Sequence, residues 1–559
     1  MKKIISIVCL LFAGVNLFAQ YSAPLRIPLS LSANFAEFRA NHYHSGIDIK
    51  TGGTVNLPVY AVERGYVSRI MVSPSGYGLA IYIDHPDGHT TVYGHLNRFV
   101  SSIQEYVQKK QYEQESFKVD LMIPKDMFPI QKGELIAYSG DTGNSGGPHL
   151  HFEIRDTRSE DLINPLLSFR NVIQDHKAPE FQALMVYPTT GSGAVNTESY
   201  PVRVGIPQSG AGKPLPFKQQ INAWGQIGLG IKAIDRMDGT YNTFCVTHVR
   251  LYLDGKEIFS YLNDGYSFHQ GRMYNSVIDF ATWKRRNEFF LKCFVDPGNT
   301  FPFYKTVNKG YIQINEERDY NIRYELEDIY GNKSEYSFLI KGQKQEIPGP
   351  EKTPYLFAWN KDNKYANNNF SLDIPKGNLY GSFYFYGADS PSTVYYSNIC
   401  RVNNFAVPLH SFCDLRVKLN NDTLSNKSQY GIVQISGRGK IWVGGKYDKG
   451  YVRAGIRELG GSYAVSEDKK APVIIPVQTA TWLKRGIIRI QVADNLSGLA
   501  LVRGTIDGRF VLFENDVKSA VYSYKIDGNR IGRNKNHELV LLAKDACGNT
   551  SEYKWKFEY

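Results

Sequence analysis

His149 and His151, in the run Gly147-Pro148-His149-Leu150-His151-Phe152-Glu153, stand one residue apart. On a β-strand alternate side chains share a face, so both imidazoles project together while Leu150 and Phe152 point into a core. Such a pair suits a metal site, where one ring ligates and the other works on a bound water. Solvated strands also carry H-x-H runs, so the reading depends on partners elsewhere. His44 and Asp48 are four apart with Gly46 between them. If Asn34 to Lys50 is a strand there, His44, Gly46 and Asp48 share one face and Ile47 and Ile49 the other. That pairs two candidate metal ligands with a glycine that lets a ligand approach. A further histidine, His95, ends the run Tyr93-Gly94-His95. Seven of the twelve histidines fall between residues 42 and 151, which concentrates the chemistry in this part of the chain. His42, His85 and His89 read as turn or surface residues, although His42 would share a face with His44 and compete for the metal.

The elements that must position these groups read as short strands. Pro58 to Val62 and Gly65 to Ile70 suggest one hairpin; Leu79 to Asp84 and Thr90 to Tyr93 suggest another, with Asp87-Gly88 as its turn. Residues 101–130 interrupt the pattern with a charged, Gln-rich and helix-compatible stretch, an insertion that would wall or cover a groove or form a surface excursion. Gly133 to Tyr138 resumes the strands, and a Gly- and Ser-rich loop, Gly140 to Gly147, delivers the strand of His149 and His151.

Three motifs in order, His44-x-x-x-Asp48, Tyr93-Gly94-His95-Leu96 and Gly147-Pro148-His149-Leu150-His151-Phe152-Glu153, resemble the lysostaphin/LytM-type zinc metallopeptidases, which cleave peptide bonds of bacterial peptidoglycan. The resemblance covers roughly residues 30–167. It implies an antiparallel β-sheet domain, Zn2+ held by His44, Asp48 and His151, and a catalytic pair, His95 and His149. Two histidines and one carboxylate leave a fourth tetrahedral position for water, as a hydrolytic zinc requires. Free imidazoles beside it would orient that water, take its proton or hydrogen-bond the oxyanion. Which of the two is the base is open. The chain departs from the family pattern in two places: Ser145-Gly146-Gly147 replaces the more usual Ser-Thr-Gly, and the 101–130 insertion is longer than the usual connection.

Composition bounds the rest. At 559 residues the chain needs several cores, and 13% aromatics with 50 glycines, in short Val, Ile, Tyr and Phe runs, read as mainly β. Lys2 and Lys3 precede an apolar run to Phe18, with Ala19 as the expected cleavage point, so residues 1–19 read as a signal peptide. The protein is expected to be exported to the periplasm or cell envelope, or secreted, with no transmembrane anchor. Cys9 lies inside that run without the small residues that precede a lipidated Cys. The remaining Cys245, Cys293, Cys400, Cys413 and Cys547 form no C-x-x-C pair; Cys400 with Cys413, or Cys245 with Cys293, could bridge in an oxidising compartment, and buried free thiols are the other reading. The net charge of +11 is spread along the chain. It favours anionic surfaces such as cell envelopes, and no basic helix or basic-aromatic platform points to nucleic acid.

Beyond residue 170 the sequence repeats itself. Asp175-His176-Lys177-Ala178-Pro179 is echoed by Asp468-Lys469-Lys470-Ala471-Pro472, Asp328 to Tyr336 by Asp545 to Tyr553, and Leu253-Asp254-Gly255 by Ile506-Asp507-Gly508. A duplicated module with D-G and G-N turns suits a β-sandwich, and the copies resemble bacterial immunoglobulin-like domains. The expected organisation is a peptidase domain over 20–170, then three β-sandwich-like modules: an immunoglobulin-like one with insertions at 171–348, one at 349–467 and an immunoglobulin-like one at 468–559. The aromatics of 349–467 would serve core packing or a sugar-binding face. No acidic pair or Ser-His set stands out after residue 175; Asp494 and Asp545 sit in turns where they cap their own backbone, and a turn-bound calcium ion has no support at this level.

The sequence therefore points to an exported zinc endopeptidase acting on peptidoglycan peptides, its β modules contacting envelope proteins or glycans. A non-catalytic scaffold that regulates other wall hydrolases is the alternative, and a structural zinc protein the third reading. All five positions being filled argues for the enzyme.

Overall fold

In the computed structural model the described residues are 21–210, 213–437 and 439–559. The expected signal peptide, with Cys9, lies outside them. The molecule is mainly β, and the first sheet is antiparallel throughout its central path. Along that path its strands run Leu31–Ala33, Ile47–Lys50, His149–Asp156, His89–Phe99, Leu79–Asp84, Gly65–Val72 and Pro129–Ile130. The His149–Asp156 strand is central and buried on both faces. Leu150, Phe152 and Ile154 alternate into an apolar core, where Phe152 meets Tyr93 edge-on. His151, Glu153 and Arg155 alternate onto the opposite face, which is polar and also covered.

Register places the chemistry in one row. His151 stands opposite Asp48 on one neighbouring strand and opposite Gly94 on the other, and cross-strand partners share a face. Strict alternation would then turn His95 toward the core. The pairing with Leu79–Asp84 slips here instead: Leu79 pairs with Leu96 but Ile81 with Tyr93. His95 takes a left-handed φ of 57°. A bulge of this kind re-aims one side chain, and it carries His95 back to the face of His151.

Three expectations about local structure need correction. His44 lies on no strand: His42–Tyr43 and Ile47–Lys50 are separate, and His44 to Gly46 cross between them. Gly46 makes room for the neighbouring strand rather than for a ligand, since a Cβ there would sit 2.2 Å from the Phe152 carbonyl oxygen. Pro58–Tyr60 pairs with Leu135–Ser139 rather than with Gly65–Val72, whereas the second hairpin forms around Asp87-Gly88.

The 101–130 insertion belongs to the fold. Its helix, Ser101–Glu113, buries Ile103, Val107 and Gln111 at helical spacing, and Val119–Met122 adds to the first sheet beside Gly65–Val72. An 11-stranded sheet spans Glu180 to Gly342, and one apolar core runs without a break from Tyr21 to Ile340 across both sheets. Two further cores lie within 357–465 and 482–557. The repeated turns share a conformation, with positive φ at Asp254-Gly255 and at Asp507-Gly508. All five described cysteines are free; Cys400 and Cys413 sit at different points of one strand, Ile399–Lys418. No described helix is long and apolar enough to cross a membrane.

Candidate metal centre

The three side chains His44, Asp48 and His151 meet and are 2–5% exposed. His44 Nε2 lies 3.0 Å from Asp48 Oδ1 and 3.1 Å from His151 Nδ1, and His151 Nδ1 lies 2.9 Å from the same oxygen. The outer nitrogens fix the tautomers. His44 Nδ1 donates to the Asn34 carbonyl at 2.8 Å, and His151 Nε2 donates to Glu153 Oε1 at 2.9 Å. The inward nitrogens of both rings then face one carboxylate oxygen. Such a trio is stable with a cation among its members, either a proton on His151 or a metal ion.

The shifts agree with that demand. His151 is drawn up to about 9: burial opposes the charge, and hydrogen bonds to Asp48 and Glu153 overcome it. A dication placed between the rings takes over the role of that proton. Two imidazoles and one carboxylate are a zinc donor set, and ligands about 2.0–2.1 Å from a tetrahedral ion stand roughly 3.3 Å apart, near the separations here. Arg39 Nη2 binds Asp48 Oδ2 at 2.8 Å, which leaves Oδ1 alone facing the rings.

His95 and His149 flank this trio. Their ring centroids are 4.8 Å apart, and that of His95 is 5.7 Å from His151. His95 Nδ1 donates to the Thr142 carbonyl at 2.7 Å and His149 Nδ1 to the Gly147 carbonyl at 2.7 Å. Each Nε2 is left free of those carbonyls, and that of His149 lies 3.4 Å from Asp48 Oδ1. Burial, with the neighbouring rings of His151 and His149, pushes His95 down to about 3. It is neutral near pH 7. All five residues singled out in the sequence are thus together. His42 is not among them: it is exposed, and its Nδ1 bonds the Ala40 carbonyl.

Sequence reasoning missed the supporting residues. Glu153 is fully buried and takes hydrogen bonds from His151, from Tyr77 at 2.6 Å and from Arg155 at 2.8 and 2.6 Å. These partners, Arg155 foremost in overcoming the cost of burial, hold its carboxyl well below the usual range. Its signal was available, two residues beyond His151 on the same strand face; Tyr77, Asn34 and Thr142 carried none. A groove of about 360 Å³ opens beside the centre, lined by Arg39, Tyr77, His95 and His151 and, from a later segment of the chain, by Tyr266, Phe268 and Arg272.

The profile described as Peptidase family M23 matches residues 42–112, and that described as Zu5-like domain matches residues 354–468. A Haemophilus influenzae protein named an uncharacterized metalloprotease is 32% identical over 123 residues, 22% of this chain and 20% of that protein. DD-carboxypeptidase/endopeptidase Mpg of Neisseria meningitidis is 33% identical over 112 residues, 20% of each chain. The chain thus spans about a fifth of the length of these curated relatives. The catalytic domain of the antimicrobial peptidase lysostaphin from Staphylococcus simulans aligns at 22% identity and a TM-score of 0.19, over 25% of this chain and 90% of that one. The resemblance to LytM-type peptidases stands on the profile, over residues 42–112, and on the two curated relatives.

Proposed function

We propose that this protein is an exported zinc endopeptidase that hydrolyses peptide bonds in peptidoglycan, in the cross-links between stem peptides. The observation that carries the reading is the convergence of His44, Asp48 and His151 beside two further imidazoles, His95 and His149, each tied at Nδ1 to a backbone carbonyl. The Neisseria relative, named a DD-carboxypeptidase/endopeptidase, supports the choice of bond.

In this reading His44 Nε2, Asp48 Oδ1 and His151 Nδ1 hold the ion. Zinc bound there supplies Lewis acidity, bringing the pKa of water toward neutrality and polarising the scissile carbonyl. The chain's own groups do the rest. His149 Nε2 and His95 Nε2, each locked in one tautomer by a carbonyl, can accept the proton of the attacking water and pass it to the leaving amine. Protonated, either ring becomes a donor for the developing oxyanion. Tyr266, Phe268 and Arg272 line the groove and would position the substrate strand.

The test is incubation of the leaderless protein with purified sacculi, with and without a chelator, and identification of released muropeptides by mass. Cross-linked dimers should fall to monomers only when zinc is present. His44→Ala should lose metal and activity together, whereas His149→Ala should keep zinc and lose hydrolysis by about 100-fold or more. Full hydrolysis by zinc-loaded His149→Ala would remove that residue from the mechanism.

A further inference from the structure

We propose that the chain carries two more divalent-cation sites, one in each copy of the repeated module, built from Asp175, Asp235 and Asp328 and from Asp468, Asp494 and Asp545, and that both take calcium. In each trio the carboxylates offer oxygens that lie within 4.8 Å of one another. Asp175, Asp235 and Asp328 are 4–5% exposed, Asp468 and Asp545 1–2% exposed, and Asp494 is half-buried.

The two clusters are copies of one device. In the first, Asn332 donates its backbone N–H to Asp328 Oδ1 at 2.8 Å and its side chain to Asp328 Oδ2 at 2.7 Å and to the Asp175 carbonyl at 3.1 Å. In the second, Asn549 donates to Asp545 Oδ1 at 2.8 Å, to Asp545 Oδ2 at 2.7 Å and to the Asp468 carbonyl at 3.0 Å. The third carboxylate closes a strand in both: Asp235 near the end of Asn222–Arg236, Asp494 just after Ile487–Ala493.

A separate observation points to a ligand. Asp175 Oδ2 is buried without any hydrogen-bond donor, and so are Asp494 Oδ1 and Ser497 Oγ in the other copy. Among the described residues no Lys, Arg or His forms an ion pair with any of the six carboxylates, although such pairs are frequent elsewhere in the chain. Burial and the charges of Asp328 and Asp175 push Asp235 up to about 9, the expected behaviour of anions crowded together without a counter-ion. Three buried anions are costly unless a cation is bound among them.

The donor chemistry selects the ion. Each trio offers carboxylate oxygen, with no imidazole or thiolate ligand, which disfavours zinc. Calcium bonds oxygens at about 2.3–2.6 Å and tolerates irregular shells completed by water, so a 4.8 Å span suits it better than the tighter octahedron of magnesium.

Position in the fold says what such an ion would do. Asp175 lies on the connection into the Glu180–Val195 strand, and Asp468 on the connection from Tyr451–Glu467 to Val473–Pro476. The other two carboxylates of each trio belong to the module being entered. A cation would tie each incoming linker to its module and stiffen two joints of the molecule.

The test uses the leaderless full chain, stripped on a chelating resin and reloaded with zinc, then titrated with calcium chloride by calorimetry. Two calcium ions should bind per chain and raise the thermal midpoint. Asp235→Asn and Asp494→Asn should each remove one, and the double variant both, with zinc content unchanged. Terbium luminescence excited through Tyr330, whose N–H donates to Asp328 Oδ1, reads the first site in the unmutated protein and does not depend on the variants folding. Absence of binding by the unmutated chain at millimolar calcium, or two ions still bound by the folded double variant, would overturn the proposal. A rise in stability of Asp235→Asn in a wild-type background that binds no calcium would identify a shared proton instead.

Discussion

At the scale of single residues, the centre depends on which nitrogen of each ring carries the proton. Four imidazoles each give one N–H to a carbonyl or carboxylate and turn the other nitrogen inward. Glu153 does this for His151 and is itself anchored by Arg155, so it would set the basicity of His151 as a ligand from outside the trio. Glu153→Gln should therefore weaken zinc binding about 10–100-fold, measured by competition with a chromophoric chelator on folded protein. Because both ligand rings must stay neutral to bind, zinc should also be released as pH falls. Metal content followed from pH 8 to pH 4 checks this and should decline together with hydrolysis.

The elements explain why those residues can meet. Asp48, His151 and Gly94 share a row across three strands because of register, and His95 joins them only through the bulge at its left-handed φ. Close strand packing is a condition of that register. In Gly46→Ala the added Cβ would lie 2.2 Å from the Phe152 carbonyl oxygen, so the strands must part. A loss of about 1–3 kcal/mol, read from urea unfolding, is expected, with reduced zinc affinity in the folded fraction. Thr142 holds the bulge from the other side: its carbonyl accepts a hydrogen bond from His95 Nδ1, and its hydroxyl donates to Leu96 O at 2.8 Å and accepts from Leu79 N at 3.0 Å.

Across the whole molecule, the last module reaches back to that same loop. Asp516 Oδ2 accepts from Gly143 N at 2.8 Å, Lys518 Nζ donates to Gly143 O at 2.8 Å and also to Asp141 O, and Val517 N donates to Pro74 O at 2.8 Å. The module also grips the inserted helix region through the Arg503–Glu115 ion pair and Arg530, whose guanidinium lies 3.5 Å from the Tyr112 ring centroid. Residues nearly 400 positions apart thus hold the loop that orients His95 and delivers His149. Asp516→Ala with Lys518→Ala should leave zinc content intact but lower hydrolysis on the order of 10–100-fold through misplaced imidazoles. Faster hydrogen exchange at Gly143 and Asn144 would accompany it.

Read alone, the sequence determined the class of fold and singled out the residues with metal-ligand side chains. His149 and His151 were legible because strand alternation is a local property, and the resemblance joined His44, Asp48 and His95 to them. The repeated Asp-Gly and Gly-Asn turns were legible for the same reason, since a turn is written in adjacent residues. What tertiary structure decided is everything that depends on pairing between distant segments. The bulge under His95, the crossing that carries His44 off any strand, and the burial of Glu153 follow from register. So do the grip of Asp516 and Lys518 on the loop before His149 and the meeting of Asp175 with Asp235 and Asp328. Register and docking are settled by how whole surfaces fit, which no short stretch of residues encodes.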